Sequence, residues 1–346
     1  MKPWPLVLIC SSLTLLTFSG QLRSSEDERA GLQSSQSTRS EPLSRPDLYS
    51  WHETDTLASI TAFVTQISDE DSASYVPPEA RIAVFDNDGT LWAEQPAYFQ
   101  VLFAADRAME QLKQRPSLAG ESPYRELATG GLPSVVAGGR SALGKLLFNT
   151  HAGMSTEDFA EQVTAWLTTA KHPTYNRAFD ELTYQPMREL LTFLRNHEFE
   201  TWIVSGGGVA FMRVWAEAAY GIPADQIIGS RVKLKYDPDR RTNVRQGELL
   251  HLNDGPGKPV AIEQIIGARP ILAVGNSDGD YEMLDYVTSG TGPRLGVIVR
   301  HTDPKREWKY DRQSSIGRLD RALTDAAEKN WLVVDMEKDW RQVFTP

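Results

Sequence analysis

Apolar residues recur three and four apart through Leu57, Ile60 and Val64, the spacing that lines one face of a helix. Pro77-Pro78 closes that unit. The next apolar run, at 81–85, is short and unbroken and gives way to acids, as a strand buried on both faces would. Helical spacing returns in Phe159, Val163, Trp166 and Leu167, behind Ser155 and Asp158 as a capping box. It returns again in Met187, Leu190, Leu191 and Leu194, with Pro186 in the first turn. Residues 201–204 read as a short strand entering Ser205-Gly206-Gly207-Gly208, then a helix that ends at Gly221. A β-rich patch at 226–252 and a helix from Lys258 follow. A buried strand at 271–274, a helix from near Asp280, and strands at 295–299 and 332–335 complete the series.

Strands alternating with helices predict an α/β fold, a Rossmann-like parallel sheet flanked by helices. Strand signal almost vanishes over 97–183. That stretch is expected to be a mainly helical module inserted into a core made of 48–96 and 184–346. The length of 346 residues accommodates both. Before position 48 the pattern changes. Lys2 precedes an apolar, nearly uncharged run at 5–18 with small residues Thr17 and Ser19, which predicts a signal peptide over 1–19 and export. The run is too short for a comfortable membrane span, so no stable membrane insertion is expected after processing. Residues 20–47, rich in Ser, Arg and Glu, read as a disordered linker.

Composition narrows the chemistry. A net charge of -10 argues against nucleic acid, which is bound through excess Lys and Arg. The one cysteine, Cys10, lies inside the leader, so a processed chain has no thiol for disulfides, catalysis or zinc. Lipid attachment at Cys10 is disfavoured by the large residues Leu8-Ile9 before it.

Four strand ends or helix starts carry the candidate chemistry. After the run at 81–85, Asp86 and Asp88 stand two apart and face one side, followed by Gly89-Thr90. Two like charges so close call for a hard cation with oxygen ligands, although a plain Asp-Gly turn would also cap a buried strand. Ser205 and the glycines after it offer a hydroxyl and amides to an anion, or simply a turn. Lys258 opens a helix, where the macrodipole disfavours a cation unless an anionic partner is near. The strand at 271–274 discharges into Gly275-Asn276-Ser277-Asp278-Gly279-Asp280, a turn crowded with oxygen donors.

In this order the pieces resemble the haloacid-dehalogenase superfamily, in particular its phosphoserine-phosphatase-like branch. Asp86, Asp88, Gly89 and Thr90 match the first motif, Ser205 the second in its Ser-Gly-Gly form, Lys258 the motif lysine, and Asn276 and Asp280 the last motif. The resemblance implies a magnesium-dependent phosphatase acting on a small phosphorylated substrate. Asp86 would be the nucleophile and Asp88 the general acid and base. Ser205, Gly206 and Lys258 would hold the phosphoryl oxygens, and Mg2+ would sit on Asp86, Asp88 and the last motif. The helical module would be a cap in the family's C1 position. Asn276 stands where the family usually has a carboxylate, so Asp278 is an alternative metal ligand. Glu94 and Gln95 fall where that branch has a glutamate that contacts a substrate amine. His172 and Arg177 lie in the insertion and are further candidates to face the substrate.

Two rivals remain open at this point. Gly275 to Gly279 also fits Gly-x-Ser-x-Gly, a serine esterase elbow on Ser277 for which His301 would have to serve as base. A metal- or phosphate-binding protein without turnover would also use these motifs. A dehalogenase needs no second acid, so Asp88 favours phosphate chemistry. Oligomeric state is not legible.

Overall fold

The computed structural model describes residues 48–345; the expected leader (1–19), Cys10 and the linker (20–47) lie outside the described residues. The chain enters through α1 (Asp55–Ser68), capped by the Thr54 hydroxyl and burying Leu57, Ile60, Val64 and Ile67 along one stripe. β1 (Ile82–Phe85) follows and is buried at every position. It lies in the middle of the sheet because it is apolar on both faces. Ala83 and Phe85 enter one hydrophobic cluster, and Ile82 and Val84 enter a second on the opposite face.

Between β1 and α6 (Gln185–Asn196) the named elements are all helical. They are α2 (Phe99–Gln114), α3 (Tyr124–Ala137, kinked at Gly130-Gly131), α4 (Gly139–Asn149) and α5 (Thr156–Thr169). α2, α3 and α4 share a satellite cluster of their own, with Val101, Leu127 and Leu146 among its members. α5 does not belong to it. Its Phe159, Val163, Trp166 and Leu167 enter the main cluster with Phe103 of α2 and Phe211. Ser155 caps α5 by accepting from the Asp158 amide at 2.9 Å.

β2 (Glu200–Gly208) is longer than expected. It runs straight through Ser205-Gly206-Gly207-Gly208, because Gly208 pairs with Ser230 of β3 (Ile227–Asp237) across a register shift. The expected single helix ending at Gly221 is broken into α7 (Val209–Met212) and α8 (Ala216–Tyr220). Trp215 leaves helical backbone between them and stacks on Trp92 with ring centroids 4.0 Å apart. β3 turns back antiparallel into β4 (Thr242–His251). α9 (Gly257–Ile265), β5 (Leu272–Gly275), α10 (Tyr281–Thr288) and β6 (Leu295–Thr302) lead to β7 (Lys309–Tyr310), α11 (Arg321–Asp325), β8 (Leu332–Asp335) and α12 (Met336–Asp339).

The sheet order is β4-β3-β2-β1-β5-β6-β7, with β8 also on β6. Pairing is parallel through β3, β2, β1, β5, β6 and β8; β4 and β7 are antiparallel additions at the edges. Residues of α6 cover one face of this sheet, and residues of α9 and α10 the other. The fold is thus α/β with a mostly parallel sheet. No described helix is long and apolar enough to cross a membrane.

Register decides where the chemistry meets. Phe85 pairs with Ile203 on one side and with Val274 on the other. The turns after β1, β2 and β5 therefore leave the sheet side by side at its carboxyl end. The chain leaves β1 for β2 on one side and only later returns to β5 on the other, a topological switch point where ligands bind.

Candidate active site

Asp86 follows β1 directly and is held by an Nζ–O contact of 2.6 Å from Lys258, whose ammonium also meets Asp280 at 2.5 Å. Lys258 is 1% exposed, so its place at the start of α9 is explained by two anionic partners. Asp88, two residues on and less deeply buried, accepts from the Trp92 indole at 2.9 Å. The turn that carries them closes just after Asp88 at Gly89, whose φ of +75° favours glycine. A Cβ there would also run into Asn276 and Glu94.

The turn after β5 is knit to the first. Asn276 Oδ1 accepts from the Thr90 hydroxyl at 3.1 Å, and its Nδ2 donates to Glu94 at 2.8 Å. Asp280 works twice. Its Oδ2 accepts the amides of Asn276 and Ser277, and its Oδ1 faces Lys258. On β2, Ser205 Oγ accepts from the Gly207 amide, and the Gly208 amide donates to Gln100 Oε1 at 2.7 Å. Part of the amide set expected to hold an anion is thus engaged within the protein. α7, the helix after the glycines, is a single turn.

Asp86, Asp88, Ser205, Gly206, Lys258 and Asp280 line one cavity at the carboxyl end of the sheet. Tyr98, Leu143 and Phe148, from the helical stretch between β1 and α6, and Leu252, just after β4, also line it. The haloacid dehalogenase-like hydrolase family model matches residues 83–285, which spans all these turns. The chain belongs to the haloacid dehalogenase-like hydrolases. No curated protein matches this hydrolase by sequence. Among solved structures it is similar to a protein of unknown function from Bordetella pertussis Tohama I, at 13% identity and TM-score 0.49, over 74% of this chain and 98% of that one. It is also similar to a phosphoserine phosphohydrolase-like protein from Francisella tularensis subsp. tularensis SCHU S4, at 20% identity and TM-score 0.36, over 63% and 87%. A substrate-bound phosphoserine phosphatase is 15% identical with TM-score 0.36, over 63% and 85%.

Several expected residues lie elsewhere in this hydrolase. Asp278 is turned away, its Oδ1 accepting the amides of Asp320 and Ala322 at 3.0 Å each, where it caps α11. It was a reasonable metal ligand by spacing, but its carboxylate is spent on backbone. Gln95 donates to the Ile316 carbonyl at 3.2 Å and does not reach the cavity. His172 is buried against the Gln95 carbonyl, and Arg177 binds the Thr345 carbonyl, so neither faces the site. Ser277 lines the cavity but contacts Asp280 and the Gly279 amide, while His301 is held between Glu307 and the Gly89 carbonyl. Without a histidine partner the esterase arrangement is absent.

Residues missed from the sequence are Tyr98, Gln100 and Asp254, which line the cavity, and Tyr310, which donates to Glu94 at 2.7 Å. Only Gln100 had a visible signal, as a polar residue early in a helix after the acidic motif. The others depend on contacts between distant segments.

The electrostatics are lopsided. Asp86, Asp88, Glu94, Asp254 and Asp280 line the cavity against one described ammonium, that of Lys258. Burial, then the charge of Asp280, pushes Asp86 up to about 8, against the pull of Lys258. Burial raises Asp88 to about 6, with the Trp92 N–H acting against it. Burial also lifts Glu94 well above its ordinary range. For Lys258, burial opposes the charge, yet Asp280 and Asp86 keep it protonated. Two carboxylates converge on one ammonium, and the raised Asp86, Asp88 and Glu94 mark acids crowded together with little positive charge among them. Among the described residues no three His, Cys, Asp or Glu side chains already surround one point. Asp280, expected as a metal ligand, has one oxygen on Lys258 and the other on two amides, so the hard oxygens that remain are the Asp86 carboxylate, the Asp88 main-chain carbonyl and Asn276 Oδ1. That set of oxygens, beside acids short of a positive partner, fits a hard divalent cation.

Proposed function

We propose that this hydrolase is a Mg2+-dependent phosphatase of small phosphomonoesters, related to the phosphoserine-phosphatase-like branch. One observation carries the reading: Asp86, Asp88, Ser205, Gly206 and Lys258 line the same cavity. An Asp86 oxygen attacks phosphorus in line, and the bond from phosphorus to the alcohol oxygen breaks. Asp88 gives its proton to the departing alcohol. A pKa near 6 lets it carry that proton and then take one back from water, which attacks the aspartyl-phosphate. Phosphate leaves and Asp86 is restored. The Ser205 hydroxyl, the Gly206 amide and the Lys258 ammonium hold the phosphoryl oxygens. Asp86, the Asp88 carbonyl and Asn276 would hold Mg2+, whose positive charge would let two anions approach, while Asp280 fixes Lys258 and the turn behind them.

Residues 97–183 act as the cap of this core, and Tyr98, Leu143 and Phe148 then screen the reacting groups from water. Export follows from the leader pattern at 1–19, with the phosphatase acting outside the cytoplasm. Release of p-nitrophenol from p-nitrophenyl phosphate is the test. Hydrolysis should require Mg2+, stop on chelation and survive Ser277→Ala. Activity on p-nitrophenyl acetate in place of the phosphate would sink the reading.

A further inference from the structure

A phosphoryl group and the alcohol that leaves it must occupy different parts of one cavity, and the lining residues divide in the same way. Asp86, Ser205, Gly206 and Lys258 come from the strand ends and the start of α9, and the proposed reaction gives them the phosphoryl group. Five aliphatic or aromatic side chains also line the cavity. They are Val101 of α2, Leu143, Leu147 and Phe148 of α4, and Leu252 just after β4.

The general acid shows which part takes the alcohol. Asp88 Oδ2 and Gln100 Oε1 both lie within 3.7 Å of the point that a Cβ on Gly207 would occupy. Gln100 is on α2, and its Oε1 accepts the Gly208 amide at 2.7 Å, which moors that helix to β2. An alcohol that takes its proton from Asp88 therefore departs beside α2, where Val101 follows Gln100 in the chain. The polar groups nearby are neutral and partly engaged. Gln100 has given its oxygen to Gly208, and the Tyr98 hydroxyl accepts from the Gly317 amide at 3.3 Å. Ser230 and Ser277 turn their hydroxyls to the Gly206 carbonyl and to Asp280. Lys258, the one described ammonium in the lining, is already on Asp86 and Asp280.

We propose that the leaving alcohol is uncharged and apolar-bodied, an arylmethyl or alkyl group packed on Val101, Leu143, Leu147, Phe148 and Leu252. This rests on the phosphatase reading and names its substrate class. An apolar body gains by taking itself and those side chains out of water. A serine or glycerol body would lay its polar groups on the same side chains with few partners to bond, which costs free energy. The amine contact expected of Glu94 is not needed by such a substrate, and one Glu94 oxygen is already met by Asn276 and Tyr310.

The experiment is phosphate release by the full-length protein, with MgCl2 present, from benzyl phosphate, butyl phosphate, O-phospho-L-serine, phosphoethanolamine and glycerol 3-phosphate. All five release alkyl alcohols, so a preference does not reduce to an easier departure. Benzyl and butyl phosphate should exceed the three polar esters in kcat/KM by about tenfold or more, mostly through KM, as a few methylenes in an apolar pocket allow. Leu252 is 49% exposed, so Leu252→Lys should fold. It should lower kcat/KM for benzyl phosphate severalfold while that for O-phospho-L-serine holds or rises, and Phe148→Ser should narrow the preference in the same sense. Equal kcat/KM across the five esters, or a preference for any polar one, overturns the inference and leaves the phosphatase reading standing. So does a preference that neither variant changes. Failure to hydrolyse these five and p-nitrophenyl phosphate overturns both.

Discussion

The turns after β1 and β5 are built from the same materials and put to different uses. Each follows a fully buried strand, each carries two acids, and they stand next to each other in the sheet. After β1, Asp86 and Asp88 face the cavity and are met by side chains, the Lys258 ammonium and the Trp92 indole N–H among them. After β5 the acids are consumed at home. Asp280 ties two amides and Lys258, and Asp278 holds the start of α11. An acid at a strand end is thus available for chemistry only if the backbone around it does not claim it first. The first turn spends its charge on a ligand, the second on the frame that presents it.

Three substitutions would break this contrast if it were mistaken. Asp86→Asn should abolish phosphomonoester turnover, by about a thousandfold or more, because the amide cannot attack. Its melting temperature should hold or rise, since Lys258 keeps Asp280 and one of several crowded buried acids is gone. A clear loss of stability would place Asp86 in the frame. Asp280→Ala should fail in the opposite sense. It strips Lys258 of one partner and two amides of their acceptor, and denaturant unfolding should show a loss of about 3 kcal/mol. An Asp280→Ala protein as stable as wild type would mean that the second turn is not structural. The smallest effect belongs to Asp278→Ala. Loss of a cap should cost about 1 kcal/mol, with Mg2+ affinity and kcat unchanged. A shift in Mg2+ affinity there would return Asp278 to the metal site.

Much of the core could be read in advance because its signals are local. The apolar runs of β1 and β5, the stripes of α1, α5 and α6, and the acids after β1 each lie within a dozen residues of chain. The order of those segments also led to the family, whose model spans the same region. What stayed hidden depends on partners far along the chain. Asp278 and Asp280 are both acids in one turn, and only the position of residues 320–322 and of Lys258 separates their tasks. Gln95 is next to Glu94 in sequence, but the extended backbone aims the two in different directions, one to Ile316 and one to Asn276. β2 extends through its glycines because of a pairing with Ser230 that no local pattern announces.

α2 is a party wall. Val101, Ala104 and Ala108 look into the satellite cluster, while Phe99 and Phe103 look into the main one. α5 is riveted to the main side by Trp166 stacking on Phe179 at 4.4 Å. α3 and α4 could therefore loosen without disturbing the large core, because their buried side chains are in the smaller cluster. Leu143 and Phe148, which line the cavity with the acids, belong to α4 of that pair. The doorway to the reacting groups thus hangs from the part of the molecule with the least to lose by moving.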